Sequence, residues 1–218
     1  MKNVFFILFG LLVFASCKKE KKTPIDNGCI SEARVFHFYM PPADSAAARQ
    51  LLTQNHLSTN DLEVEYVILH DTISRNNSVN IYQYVYAVQY VNGLPVMSSD
   101  FGYEFKEGIY QGVSGVKYDH IDLDTHPKLS LSQIRSVFID QVTKNQGHTA
   151  AAALKSSCLE AQFGYYDLNA RATGPHNTNF VKAWVVRPKN ALYPWPEVLI
   201  RDDNGAVIAF YGGFTTNV

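Results

Sequence analysis

Ile81-Tyr82-Gln83-Tyr84-Val85-Tyr86-Ala87-Val88-Gln89-Tyr90-Val91-Asn92-Gly93-Leu94-Pro95-Val96 is the stretch on which the fold turns. Side chains on a strand alternate between faces, so Tyr82, Tyr84, Tyr86, Val88 and Tyr90 share one face, and Ile81, Val85, Ala87 and Val91 share the other. Asn92-Gly93 supplies the positive φ angles of a tight hairpin. The return strand runs from Val96 to Lys106 and aligns Phe101, Tyr103 and Phe105. Glu107-Gly108 turns the chain again into a strand from Ile109 to Tyr118. Antiparallel strands joined by two-residue turns form a meander with one face to bury.

Upstream, Arg34–Tyr39 reads as a short strand halted by Pro41-Pro42. Asp44 is placed to cap a helix over Ala46, Ala47, Ala48, Leu51 and Leu52 that ends near His56. Glu63–His70 is a further strand with Val64, Tyr66 and Ile68 on one face, and Arg75-Asn76-Asn77-Ser78 is a turn. Downstream the pattern repeats. Ser130-Leu131-Ser132-Gln133 is a capping box opening a helix whose stripe is Leu131, Ile134, Phe138 and Val142, with Val137 beside it and Gly147 as its C-cap. Thr149–Lys155 reads as a small-residue linker. Leu159–Leu168, Phe180–Arg187, Glu197–Arg201 and Ala206–Tyr211 read as strands, the last two joined at Asp203-Asn204-Gly205. The expected fold class is α+β: two successive helix-plus-antiparallel-sheet modules of a cystatin-like or PepSY-like kind.

Several of these residues carry a family likeness. Gln89-Tyr90-Val91-Asn92-Gly93-Leu94-Pro95-Val96, followed by Gly108, Val113-Ser114-Gly115 and Asp122-Leu123-Asp124-Thr125-x-Pro127-x-Leu129-Ser130, resembles the fungalysin/thermolysin propeptide (FTP) domain. Ala183-Trp184-Val185-Val186 and Val198-Leu199-Ile200-x-Asp202-x-x-Gly205-x-Val207-Ile208, behind the helix from Leu131, are similar to a PepSY domain. Full-length members of that family carry a zinc peptidase, but no histidine of this chain begins an H-E-x-x-H. The resemblance therefore implies an inhibitory or chaperone-like scaffold, with no catalytic residue and no cofactor. Its partner would be a peptidase or another envelope protein. The alternative is a structural lipoprotein, or one that binds a ligand or glycan, which kept the fold without a protease partner.

The N-terminus supplies an address. Lys2, the apolar run from Val4 to Phe14 and the small Ala15 and Ser16 describe a signal peptide over residues 1–16. The run falls short of the about 20 apolar residues needed to span a bilayer. Phe14-Ala15-Ser16-Cys17 resembles the lipobox of bacterial lipoproteins, with Phe in place of the usual Leu, so Cys17 is the expected lipidation site and the membrane a partner through that lipid. Lys18 to Pro24 is charged and apolar-poor, a flexible tether. The expected organisation is thus signal peptide 1–16, anchor and tether 17–30, FTP-like module 31–127, and PepSY-like module with C-terminal tail 128–218. The cell envelope is the expected location. The outer membrane is favoured because no Asp follows Cys17, and surface display is left open.

With 19 basic and 20 acidic residues, the balance argues against a nucleic-acid partner. Of three cysteines, Cys29 and Cys158 remain after lipidation, an even number for a disulfide in an oxidising compartment, with two separate thiols as the alternative. His120, Asp122, Asp124 and His126 alternate as metal-capable residues, but a solvated connector is the favoured reading over a metal site. The candidate partner surface comprises Tyr82, Tyr84, Tyr86 and Tyr90, with Trp195 between two prolines and Phe214 in a glycine-hinged tail. A tyrosine face buried beneath a helix is the favoured arrangement; an open face would be a protein or glycan platform.

Overall fold

The computed structural model describes residues 28–34, 42–58, 61–73, 79–170, 177–189 and 196–213, with the backbone alone at 42–43, 63–73, 79 and 99–101. The signal peptide, Cys17, the tether up to residue 27, positions 35–39 of the first expected strand, the turn at 75–78, Trp195 and Phe214 lie outside the described residues.

The elements run β1 (Ile30–Glu32), α1 (Pro42–Gln54), β2 (Leu62–Ile73), β3 (Val79–Val91), β4 (Leu94–Lys106), β5 (Ile109–Ser114), α2 (Leu131–Lys155), β6 (Leu159–Asp167), β7 (Phe180–Pro188), β8 (Glu197–Arg201) and β9 (Val207–Tyr211). The class is α+β, as the alternation and capping signals require. β2-β3-β4 and β6-β7-β8-β9 are antiparallel runs, and β5 pairs with β4. The two runs join where Val96 of β4 lies parallel to Tyr165 of β6.

α1 begins at Pro42, two residues before the expected cap. Proline suits the first helical turn, where its missing N–H is not needed. Asp44 sits inside that turn, near the positive end of the helix dipole. Ala48, Leu51 and Leu52 are buried at helical spacing and pack on Val85 and Phe105. The helix stops where His56 takes φ 56°. Leu57 N–H then donates to Leu52 O at 2.9 Å and His56 N–H to Thr53 O at 3.0 Å, which satisfies the last carbonyls. Asn92 and Gly93 adopt φ of 53° and 81°, and Glu107 and Gly108 51° and 76°, so both predicted turns form with left-handed residue pairs.

α2 opens with the expected capping box: Ser130 N–H donates to Gln133 Oε1 at 2.8 Å, and Gln133 N–H to Ser130 Oγ at 3.4 Å. Gly147 leaves helical geometry at φ 87°, but the chain kinks there and resumes a helix to Lys155. The stretch read as a linker, Thr149–Lys155, is therefore helical. Its four consecutive alanines favour helix, and Ala151 is buried in the main core with Ile134, Phe138, Val142, Trp184 and Ile200.

β1 was not anticipated. It lies upstream of the expected strand, within the stretch assigned to the tether and the first module, and pairs parallel with β6. The Cys29–Cys158 disulfide holds it there, with Cα atoms 4.4 Å apart. The boundary drawn at residue 127 thus does not separate two sheets.

The residues behind the family likeness meet at the junction of the two strand runs. Gln89, almost fully buried, donates from Nε2 to Tyr118 O at 2.6 Å and accepts Tyr118 N–H at 2.9 Å. Asn92 Nδ2 donates to Ile121 O at 3.2 Å, and Tyr165 OH to Leu123 O at 3.1 Å. Gly164 admits Pro95, whose carbonyl oxygen would lie 2.5 Å from any Cβ there. These contacts strap the connector between β5 and α2 onto a small core of Val91, Val96, Ile121 and Tyr165. Gln89→Ala removes the acceptor for a backbone N–H and is expected to cost about 1–3 kcal/mol. Urea denaturation together with amide exchange at Tyr118 would measure it; unchanged exchange at Tyr118 would refute the role given to Gln89.

Candidate binding face

β3 presents two faces, and α1 covers only one. Val85, Ala87, Gln89 and Val91 are buried on that side. Tyr82, Tyr84 and Tyr86 lie on the opposite face and are half-buried. The expected cover of the tyrosine row by a helix is therefore corrected: the smaller, branched row took the helix. Ala48 and Leu52 pack with Val85 and Phe105, whereas three tyrosine rings with polar tips would have left hydroxyls to satisfy beneath an apolar helix stripe.

The row is also shorter than the sequence suggested. The β3–β4 register shifts between Val88 and Tyr90, a bulge that moves Tyr90 out of line. Tyr90 OH instead donates to Arg34 O at 3.5 Å. It sits near an open groove of about 410 Å³ floored by Phe163 and walled by Glu32–Arg34 and Gly93–Pro95.

Beside the tyrosines, β4 places Lys106 opposite Tyr82, Glu104 opposite Tyr84 and Gly102 opposite Tyr86. β5 continues the rows with Ile109, Gly112 and Ser114. Lys106 Nζ stands 5.8 Å from the centre of the Tyr82 ring, a cation–π distance that steadies both side chains. Tyr86 leans over Gly102, since a Cβ there would lie 3.2 Å from Tyr86 Cε1. At Gly112 a Cβ would meet nothing within 4 Å, so the floor beside Glu104 is bare. Ile109 is 65% exposed at the rim. Desolvation, then the Glu104 carboxylate and the neighbouring phenols, pushes the Tyr84 hydroxyl above its ordinary value. It stays protonated and able to donate.

The connector residues behave differently from a metal centre. His120, Asp122, Asp124 and His126 are all exposed. Asp124 Oδ1 accepts Lys182 Nζ at 2.7 Å and His126 N–H at 2.9 Å, which turns the chain and breaks the alternation. Among the described residues no three His, Cys, Asp or Glu side chains group as metal ligands. The Lys182 hydrogen bond, ahead of the backbone bond from His126, holds the Asp124 carboxyl below the usual range.

Sequence reasoning missed a buried polar network behind this connector. Asp202 is fully buried. Its Oδ1 accepts Trp184 Nε1–H at 2.9 Å and Leu129 N–H at 3.0 Å; its Oδ2 accepts Lys128 N–H at 2.8 Å and lies 3.8 Å from Lys182 Nζ. The signal was an aspartate directly ahead of a hairpin turn and a tryptophan on the neighbouring strand. The aspartate was read only as part of the PepSY-like pattern, and two of its partners, Lys128 and Leu129, lie more than seventy residues upstream. The network organises the fold and lies away from the tyrosine face.

Burial also raises the Glu197 carboxyl, opposed by the charge of Arg187. A raised carboxyl disfavours the folded state when ionised, so Glu197→Gln should raise the denaturation midpoint at pH 7. Below the unfolded carboxyl's pKa both side chains are neutral, and the gain should vanish by about pH 3. Paired melts at the two pH values check this, and an equal gain at both would contradict it.

Set against models of protein families, the chain matches none, and no curated protein matches it.

Proposed function

We propose that this chain is a non-enzymatic, lipid-anchored binding protein of the cell envelope, built on a propeptide-like scaffold of an FTP-like followed by a PepSY-like module. Cys17 carries the lipid, and the β3–β4–β5 face bearing Tyr82, Tyr84 and Tyr86 is its contact surface. The observation that carries the reading is the placement of α1 opposite that face, which leaves the aromatic row half-exposed beside an open glycine floor. Half-exposed tyrosines supply large contact area with few rotatable bonds, a composition common at recognition surfaces. The use of Gln89, Asn92, Pro95, Trp184 and Asp202 as joints of the fold supports the likeness as one of scaffold.

Three measurements test it. Metabolic labelling with a palmitate analogue should mark the wild type and leave Cys17→Ser unlabelled; equal labelling of both removes the anchor. A photo-crosslinking phenylalanine at position 84 tests the face in cells. Crosslinks at position 84 and none at 111, on the β5 edge, are expected, and the reverse pattern would move the contact surface elsewhere. A peptidase partner is examined by adding the solubilised full chain to a thermolysin-like metallopeptidase. Slowed turnover supports the inhibitory form, and unchanged turnover at saturating protein excludes it.

A further inference from the structure

At the hairpin end of β3, away from Tyr82, Tyr84 and Tyr86, the open groove of about 410 Å³ lies between β1 and the Asn92-Gly93 turn. We infer that this groove binds a zwitterionic apolar dipeptide, its ammonium held by Glu32 and its carboxylate by Arg34. The groove is a second site, and its ligand does not depend on what the tyrosine face contacts.

The groove exists because β6 gives one edge to two strands. β1 runs parallel to it from Leu159 to Ala161, and β4 meets it at Tyr165. Phe163 falls between the two and forms the floor, with Leu94 and Pro95 beside it. Both walls are pinned. Ala33 N–H donates to Ala161 O at 2.8 Å, and Gln162 Nε2 donates to Arg34 O at 2.9 Å. Tyr90 OH reaches the same Arg34 carbonyl at 3.5 Å. On the other side Pro95 is seated against Gly164, where a Cβ would lie 2.5 Å from the Pro95 carbonyl oxygen. Walls set before a ligand arrives spare it the cost of ordering them. The volume falls at the small end of the range for ligand sites.

The charges at the rim identify the ligand. Glu32 and Arg34 border the groove and are exposed. Among the described residues, neither side chain has an ion pair or a hydrogen bond. They stand two residues apart, about 7 Å along an extended chain. The ends of an extended dipeptide are separated by about the same length. A lone anion on Arg34 would have Glu32 as its neighbour, and a lone cation on Glu32 would have Arg34. A ligand carrying both charges at that spacing satisfies both. The guanidinium can grip a carboxylate through two parallel hydrogen bonds, which makes the C-terminal end the stronger anchor. A single amino acid holds its two charges too close together to meet both residues. An internal segment of a protein brings no chain ends at all. The apolar floor then takes a side chain: Leu94 is half-buried and has apolar area left to lose to a ligand.

Saturation-transfer NMR on the full chain in deuterated detergent tests the inference, with leucyl-leucine as the probe. Transfer to the leucine methyl groups is expected. N-acetyl-leucyl-leucine amide, capped at both ends, should bind on the order of tenfold more weakly or not at all. Glu32→Gln and Arg34→Gln each remove one charge, and each should weaken leucyl-leucine on the order of tenfold. Both side chains are exposed and take no part in the bonds that hold β1, so the variants should melt with the wild type. Absence of transfer to leucyl-leucine at millimolar concentration overturns the inference. So does equal binding of the capped peptide, which would leave an apolar groove with no role for the rim. Unchanged binding in either variant removes the two-ended grip and overturns it as well.

Discussion

Asp202→Ala is expected to destabilise the protein by about 3–5 kcal/mol, read from the urea midpoint at constant m-value. The carboxylate is fully buried and holds together four parts of the chain: the backbone at Lys128 and Leu129 entering α2, the indole of Trp184 on β7, the ammonium of Lys182, and its own turn after β8. Its backbone N–H also donates to Lys182 O at 2.9 Å. Alanine leaves the Trp184 N–H and two backbone N–H groups with no acceptor from that side chain. It also strands Lys182, 9% exposed, with Asp124 and the His126 carbonyl as its remaining partners. Asp202→Asn keeps the shape and one acceptor, but its amide hydrogens face donors. Its loss should fall between wild type and alanine. The cost is that of orphaned partners more than of a lost attraction, so it should shrink when a partner is removed as well. A double variant with Lys182→Met should lose less than the sum of the two single losses. Strict additivity would show that Lys182 and Asp202 do not depend on each other.

How far these features were legible depends on the range of the interactions behind them. The β3 alternation, the Asn92-Gly93 and Glu107-Gly108 turns and the Ser130–Gln133 box are set by residues within a few positions of each other, and each formed where the sequence placed it. The disulfide partners were legible through parity. The covered face of β3 was not, because both faces are rich in apolar atoms and the choice lay with a helix thirty residues upstream. The β1–β6 pairing is three residues long and parallel across more than a hundred residues, so no local pattern announces it. Gly147 was read as the end of the helix, but a single left-handed residue can kink a helix as well as end one, and here the helix resumes to Lys155. The candidate site suffered in the same way. Its tyrosines were found by alternation, while its floor at Gly112 and the withdrawal of Tyr90 depend on strand register.

Reducing the Cys29–Cys158 bond, or replacing both cysteines with serine, is expected to cost about 4–5 kcal/mol by the chain-entropy account for so long a loop. The bond joins residues 129 apart, so it closes off most of the chain in the unfolded state. Both cysteines are exposed, so a reductant can reach them in the native protein. The folded state has its own means of holding β1. The buried Arg135 guanidinium donates from Nη1 to Cys29 O at 3.0 Å and Ser157 O at 3.1 Å, and from Nη2 to Leu154 O and Lys155 O. It thereby caps the C-terminal end of α2 with positive charge and grips the disulfide-bearing segment at once. Leu159 N–H donates to Cys29 O at 2.7 Å, and Ala33 N–H to Ala161 O at 2.8 Å. Gly28 is required beside this clasp, because a Cβ would collide with Arg135 Nη2 and Ser157 O. Reduction should therefore lower the urea midpoint and raise the m-value, since the unlinked chain exposes more surface on unfolding. The Ala33 amide should remain protected from exchange under native conditions. Loss of that protection on reduction, with little change in m-value, would show instead that the bond acts as a clamp on the folded β1–β6 pair and that Arg135 cannot hold the strand alone.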